Sequence, residues 1–241
     1  MRPRAFTLLE MVLVVAIMAT IAGTVVALTG DLQDTVNLDL RLHELTAIRE
    51  ALLRFHTDTG YFPGEGPFDL DTRPGGFVPL GARPPQWHDC AANVWQLAQN
   101  PLEGTSHPLR VWDPDRRRGW HGPYLAMSCE GRVALPFVDG RAAPANQDLE
   151  AAPLADLLPA VADPGLRQVP PPGQPFHWTS YSSPGDVLGA QGQPYLVFLP
   201  RLADGSVDRA PTSAAQVRCL GNDRLVSVDP GTDDLHLYLF R

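Results

Sequence analysis

The chain contains no lysine. Its 19 cationic side chains are all arginine and stand against 27 acids, a formal net charge of −8. That balance excludes bulk electrostatic affinity for nucleic acid or an anionic lipid surface. The one compact basic run, Arg116-Arg117-Arg118, follows Asp113 and Asp115 and reads as a solvated loop. Recognisable catalytic signatures are also missing: no Gly-x-Ser-x-Gly elbow, no His-Glu-x-x-His and no phosphate loop. His177, Ser180, Ser182 and Ser183 lie close in sequence, but beside Pro184-Gly185 they read as a strand end and turn. The chain is therefore read as non-enzymatic, with a signal-anchored hydrolase as the alternative from a different class.

Proline and glycine are plentiful, 25 and 21 residues, which points to a loop-rich domain. The length of 241 residues suits one anchor and one sizeable domain rather than two independent ones. Its most informative part is the beginning. A short basic leader, Met1-Arg2-Pro3-Arg4-Ala5, runs into Phe6-Thr7-Leu8-Leu9-Glu10 and then an apolar stretch from Met11 to Leu28. A hydrocarbon core of about 30 Å needs roughly 20 helical residues at 1.5 Å each, and Phe6 to Leu28 is expected to span it. Thr29-Gly30-Asp31 offers no small-residue cleavage site, so the segment is expected to be retained. Arg2 and Arg4 precede it and Asp31, Asp34 and Asp39 follow. The expected address is thus a single pass through the inner membrane, with its N-terminus cytoplasmic and its remainder facing the periplasm or cell exterior. In such an oxidising compartment Cys90, Cys129 and Cys219 allow three single pairings with one thiol over. Cys90 with Cys129 is the favoured staple. His88 and His121 lie near these cysteines in a spacing that matches no strong zinc pattern.

Glu10 is the residue that a plain anchor leaves unexplained. An acid inside an apolar helix is costly and is usually paired and functional; snorkelling to head groups is the bland alternative. The block Ala5-Phe6-Thr7-Leu8-Leu9-Glu10 resembles the prepilin-type signal of type IV pilins and type II secretion pseudopilins. The resemblance implies cleavage between Ala5 and Phe6 by a prepilin peptidase, N-methylation of Phe6, and pairing of Glu10 with the Phe6 amine of a neighbouring subunit. Gly is usual where this chain has Ala5.

Beyond the span, Leu38, Leu42, Leu45, Ile48, Leu52 and Phe55 recur at three- and four-residue steps, one apolar stripe on a helix. No proline interrupts Phe6 to Gly60, so span and stripe are expected to form one long helix ending at Gly60, with Pro63 just beyond. A coiled-coil dimer through the same stripe is the alternative, weakened by fewer than three clean heptads. The stretch Ala47 to Pro63, ending Asp58-Thr59-Gly60-Tyr61-Phe62-Pro63, resembles the helix exit of major pseudopilins. Gly119-Trp120-His121-Gly122-Pro123-Tyr124-Leu125 and Gly192-Gln193-Pro194-Tyr195-Leu196-Val197 resemble two further elements of that family, the second with Gln191 in place of Trp. The expected divisions are a leader at 1–5, a transmembrane and assembly helix at 6–30, its amphipathic continuation at 31–60 and a periplasmic head at 61–241.

The expected fold is α+β and type IV pilin-like. Its long helix, half transmembrane and half amphipathic, packs on a small antiparallel sheet with large loop insertions. Strands are expected at 132–138, 176–181, 195–200, 224–228 and 235–240, and short helices at 91–99 and 149–161. The runs 64–118 and 130–186 read as expansions of the family head. Pseudopilins also carry a calcium loop, and Gly231-Thr232-Asp233-Asp234 resembles its Gly-Thr-x-Asp-Asp-like end. The resemblance implies Asp233 and Asp234 as calcium ligands, with Asp229 and the more distant Asp223 as further candidates. An acidic hairpin turn without an ion is the alternative. The implied partners are a prepilin peptidase, other pseudopilins, an inner-membrane assembly platform and exoproteins leaving through an outer-membrane secretin. A minor type IV pilin for adhesion, motility or DNA uptake is the nearest alternative role.

Overall fold

The structure is a computed structural model that describes residues 8–69, 89–126, 132–134, 138–148, 158–161, 163, 176–177, 194–220, 225–229, 232 and 234–241. The chain divides into two units, Met1–Leu40 and Arg41–Arg241. The helix α1, Leu8–Thr59, runs for 52 residues and contributes to both.

Within the first unit α1 is rich in Leu, Met, Ala, Val and Ile and free of proline, and its apolar side chains face outward: Leu8 is 82 % exposed, Leu13 59 % and Met18 67 %. Among the described residues no helix is long and apolar enough to cross a membrane. That corrects the expected transmembrane half of the fold and, with it, the inner-membrane address. Glu10 stands among the apolar side chains at the start of α1, and an ionised carboxylate in hydrocarbon is costly.

Within the second unit the stripe acquires a partner. Leu45, Ile48, Leu52 and Phe55 are at most 1 % exposed, while Leu42 keeps 39 %. Three- and four-residue steps put these side chains on one face, and each fully buried aliphatic or aromatic side chain contributes about 1.5–3 kcal/mol. They join Phe62, Phe68, Leu97, Tyr195, Val197, Val217 and Leu239 in one core. The helix stops at Thr59, where Gly60 at φ +86° donates its N–H to the His56 carbonyl at 2.8 Å. That left-handed conformation is what glycine supplies at a helix end.

The sheet beside this core is antiparallel, in the order β5-β6-β8, with β5 at Leu196–Phe198, β6 at Gln216–Cys219 and β8 at Leu235–Tyr238. Val197 pairs with Val217, and Val217 with Leu237. Arg49 ties α1 to this sheet, its Nε and Nη2 donating to the carbonyls of Tyr238 and Leu239 at 2.9 and 3.2 Å. Two smaller sheets complete the described pairing. In one, β1 (Arg132–Ala134) lies between β3 (Leu158–Pro159), antiparallel, and β4 (Phe176–His177), parallel. In the other, β2 (Gln147–Asp148) pairs antiparallel with β7 (Leu225–Val226).

One expected helix is corrected, and a second at its end, residues 149–157 lying outside the described residues. Of 91–99 only α2, Trp95–Ala98, is helical, because Ala91 N–H is engaged by the Val138 carbonyl at 2.7 Å and the Asn93 side chain accepts from Trp95 N–H. The end of 149–161 is strand: Leu158 and Pro159 pair with β1, and the Val161 carbonyl accepts from Tyr195 N–H at 2.9 Å. Among the described residues Pro159 sits on an edge strand, the place in a sheet where proline is tolerated.

Candidate functional site

The processing residues Ala5 and Phe6 lie outside the described residues. Glu10 is in the first turn of α1 and exposed. Around it Leu8, Leu9, Met11, Val12, Leu13 and Val14 are all exposed, from 48 % to 82 %. Seven consecutive helical positions cover every direction around the axis, so this is an apolar cylinder carrying one acid rather than an amphipathic stripe.

The Gly-Trp-x-Gly-Pro-Tyr element closes on the end of α1. Gly119 N–H donates to the Asp58 carbonyl at 2.8 Å, and Tyr124 N–H to the Leu97 carbonyl at 2.8 Å. The Tyr124 ring stands edge-on to Phe55 and to Trp120, with centroids 5.4 and 5.7 Å apart. A Cβ on Gly119, at φ +127°, would lie 2.2 Å from the Val111 carbonyl oxygen, so only glycine fits there. Burial, with Asp58 adding to it, pushes the Tyr124 phenol above its ordinary pKa. The element therefore works as a structural clamp on the helix exit. Just after that exit in sequence, Glu65 is 5 % exposed and anchors the same turn. Its carboxylate accepts from Phe62 N–H at 2.7 Å, Val207 N–H at 3.0 Å and Arg209 Nη2 at 3.1 Å.

Of the expected calcium ligands, Asp223 and Asp233 lie outside the described residues, and Asp229 and Asp234 bond to different partners. Asp234 Oδ2 accepts from Arg218 Nη1 at 3.0 Å and from Ser227 N–H at 3.2 Å. Both side chains of the Arg218–Asp234 pair are nearly sealed, 4 % and 2 % exposed. Arg218 Nη1 also donates to the Ser227 carbonyl. Asp229 Oδ2 instead accepts from Asn146 Nδ2 at 3.2 Å. Among the described residues no group of three or more His, Cys, Asp or Glu side chains is gathered. Calcium takes six to eight oxygens. Asp234 is already paired with a guanidinium, and the other expected ligands of the loop, Asp223 and Asp233, lie outside the described residues.

Cys90 is a buried free thiol, its pKa pushed up to about 11 by burial, and its expected partner Cys129 lies outside the described residues. Cys219 is also a buried free thiol. Its S–H donates to Asp163 Oδ2 at 3.0 Å, and Asp163, with no exposed side-chain surface, pairs with Arg41 Nε at 2.8 Å. Burial, then Asp163, raises the Cys219 pKa. The cluster joins α1 to β6 and presents no reactive thiolate. Spacing gave no sign of Arg218, Arg41, Asp163 or Glu65, whose partners are mostly distant in sequence. The one available signal was a charged residue inside a β-like run, Gln216-Val217-Arg218-Cys219, which demands a buried counter-charge.

Comparison with protein-family models, with curated proteins and with solved structures returns no match.

Proposed function

We propose that this chain is a structural subunit of a type II secretion pseudopilus, matured between Ala5 and Phe6 by a prepilin peptidase and assembled with like subunits into a fibre that drives protein export through a secretin. The observation that carries the reading is the apolar cylinder at the start of α1. A helix apolar on all sides is covered in its working state, and the equivalent helices of neighbouring subunits provide a matching cover. Burying a carboxylate costs several kcal/mol unless it is paired. Glu10 fits the assembly because the new Phe6 amine of a neighbour supplies the opposite charge. The resemblance of the leader, the helix exit and the Gly-Pro-Tyr elements to pseudopilins supports secretion over other fibres. In this reading the subunit performs no bond chemistry. Its partners are the peptidase, other pseudopilins, an assembly platform and exoproteins.

The test is assembly of Glu10 variants beside the wild-type chain in cells that carry the whole system. Glu10→Val should be cut normally and yet be lost from sheared fibres, while Glu10→Asp keeps a measurable share. Incorporation of Glu10→Val at the wild-type level would defeat the proposal.

A further inference from the structure

Two small turns of the second unit carry opposite charge on its surface. In the first, Asp113 N–H donates to the Arg118 carbonyl at 2.9 Å and Arg118 N–H to the Asp113 carbonyl at 3.2 Å. The Asp113 carboxylate is used within the turn, accepting from the N–H groups of Asp115 and Arg116 at 2.9 and 3.1 Å. Residues 113–118 hold three arginines against two aspartates, and Arg110 adds a fourth. Arg116 and Arg117 are exposed, and beside them Val111 keeps 59 % of its surface. The Trp112 ring is held by stacking on His121, with centroids 4.6 Å apart and planes 16° from parallel.

The second turn is acidic. Leu202 N–H donates to the Ser206 carbonyl at 2.8 Å and Gly205 N–H to the Leu202 carbonyl at 2.9 Å. Asp204 Oδ1 accepts from Ser206 N–H and Oγ–H at 2.9 and 2.6 Å, bonds that lower its pKa and keep it ionised. Leu202 is 50 % exposed in the same turn, and Asp208 is half-buried just beyond it. The flanking arginines are engaged elsewhere: Arg201 Nη2 donates to the Pro63 carbonyl at 3.0 Å, and Arg209 Nη2 lies 3.1 Å from Glu65 Oε2. Among the described residues the ion pair of the basic turn is internal, Arg116 Nε with Asp113 Oδ2 at 3.6 Å, so the two turns are not partners within one chain.

Copies of a chain with net charge −8 repel one another. Contact between them needs a local reversal of sign, and the basic turn supplies one. Arginine beside tryptophan and an exposed aliphatic is the composition of an interface core. Both turns are fixed by their own hydrogen bonds, so docking them costs little ordering. We propose that the basic turn docks on the acidic turn of a second copy of this chain, with Arg116 and Arg117 facing Asp204 and Asp208 and Val111 against Leu202. The inference rests on the fibre reading above and names a contact between neighbouring heads. Because two different surfaces meet, the contact is heterologous and repeats along an open fibre.

The test measures this chain in fibres sheared from cells that carry the whole system. Arg116→Glu with Arg117→Glu, and separately Asp204→Arg with Asp208→Arg, should each reduce assembly by about five-fold or more. Expressed together, the two variants should regain most of the wild-type yield, because each basic turn then meets an acidic one. A chain carrying all four substitutions should regain it as well. Wild-type yield from either reversed variant alone, or no recovery in both the mixture and the four-substitution chain, overturns the contact. Where a reversal prevents folding, Arg117→Gln and Asp204→Asn decide: a loss of assembly in both upholds the contact, and wild-type yield from either overturns it. Fibres that form from the wild-type chain while the contact fails leave the fibre reading standing. Absence of fibres from the wild-type chain overturns that reading and the contact with it.

Discussion

Two stretches of one helix live under opposite rules. From Leu8 to Ile21 the large apolar side chains of α1 are exposed, while from Leu45 to Phe55 the stripe is sealed by residues of the head. Both are apolar and helical, so apolarity alone says nothing about whether the chain covers its own surface. The difference lies in pattern: a stripe with charged flanks finds a partner inside the chain, and a cylinder needs one from outside. Stability of the second unit and exposure of the cylinder are therefore separate properties of one helix.

All five tryptophans lie beyond the first unit, so their fluorescence during denaturant unfolding of the full chain reports on the head alone. The largest expected effect is from Phe55→Ala, which removes a fully buried ring packed 4.9 Å from Phe68 and should cost about 3–5 kcal/mol. Next come Asp234→Ala and Arg218→Met, each leaving a buried charge without its partner and each expected to cost about 3 kcal/mol or more. With Asp234 paired to Arg218, millimolar calcium is expected to leave the wild-type midpoint unmoved. A clear calcium-dependent rise would show that the carboxylate prefers the metal. Glu65→Gln keeps an acceptor but loses the charge opposite Arg209, with an expected loss of about 1.5–3 kcal/mol.

A smaller effect is expected from pH. Burial, then Arg209, lowers the His56 pKa from its ordinary 6.5, and burial, then Arg218, lowers that of His236. The unfolded chain thus binds protons first on acidification. This contribution is complete above about pH 6.5 and is lost as pH falls through the lower folded-state values. His56→Gln should flatten the slope of stability against pH below that point, and an unchanged slope would remove His56 from the account. The smallest effect is expected from Leu13→Ala, 59 % exposed in the first unit, which should alter head stability by less than about 0.5 kcal/mol. A larger loss would mean that the two units are coupled.

Much of the head's frame was legible in the sequence. The three- and four-residue steps of Leu45, Ile48, Leu52 and Phe55 marked the buried face, Gly60 marked the end of α1, and runs of apolar and aromatic residues marked β5 and β8. What failed did so for physical reasons. Leu38 and Leu42 continue the same period yet stay exposed, 43 % and 39 %, since a period specifies a face and not what covers it. The strand β6 was missed because Gln216 and Arg218 look solvent-facing until their partners are placed, and the end of 149–161 is a strand because pairing with β1 outweighs local helix preference. The transmembrane expectation rested on apolar length, and the described helix does not meet it. Of the candidate site, Glu10 and the glycine-rich turns were readable as local patterns. The pairs Glu65 with Arg209 and Arg218 with Asp234 were not, because local sequence carries no distance between residues that meet only after folding.

The most direct test of the account is the intact mass of the full chain produced with and without an active prepilin peptidase. The account predicts that the peptidase removes Met1 to Ala5 and leaves a methyl group on the amine of Phe6. A chain that keeps its leader in the presence of peptidase active on another substrate would contradict it.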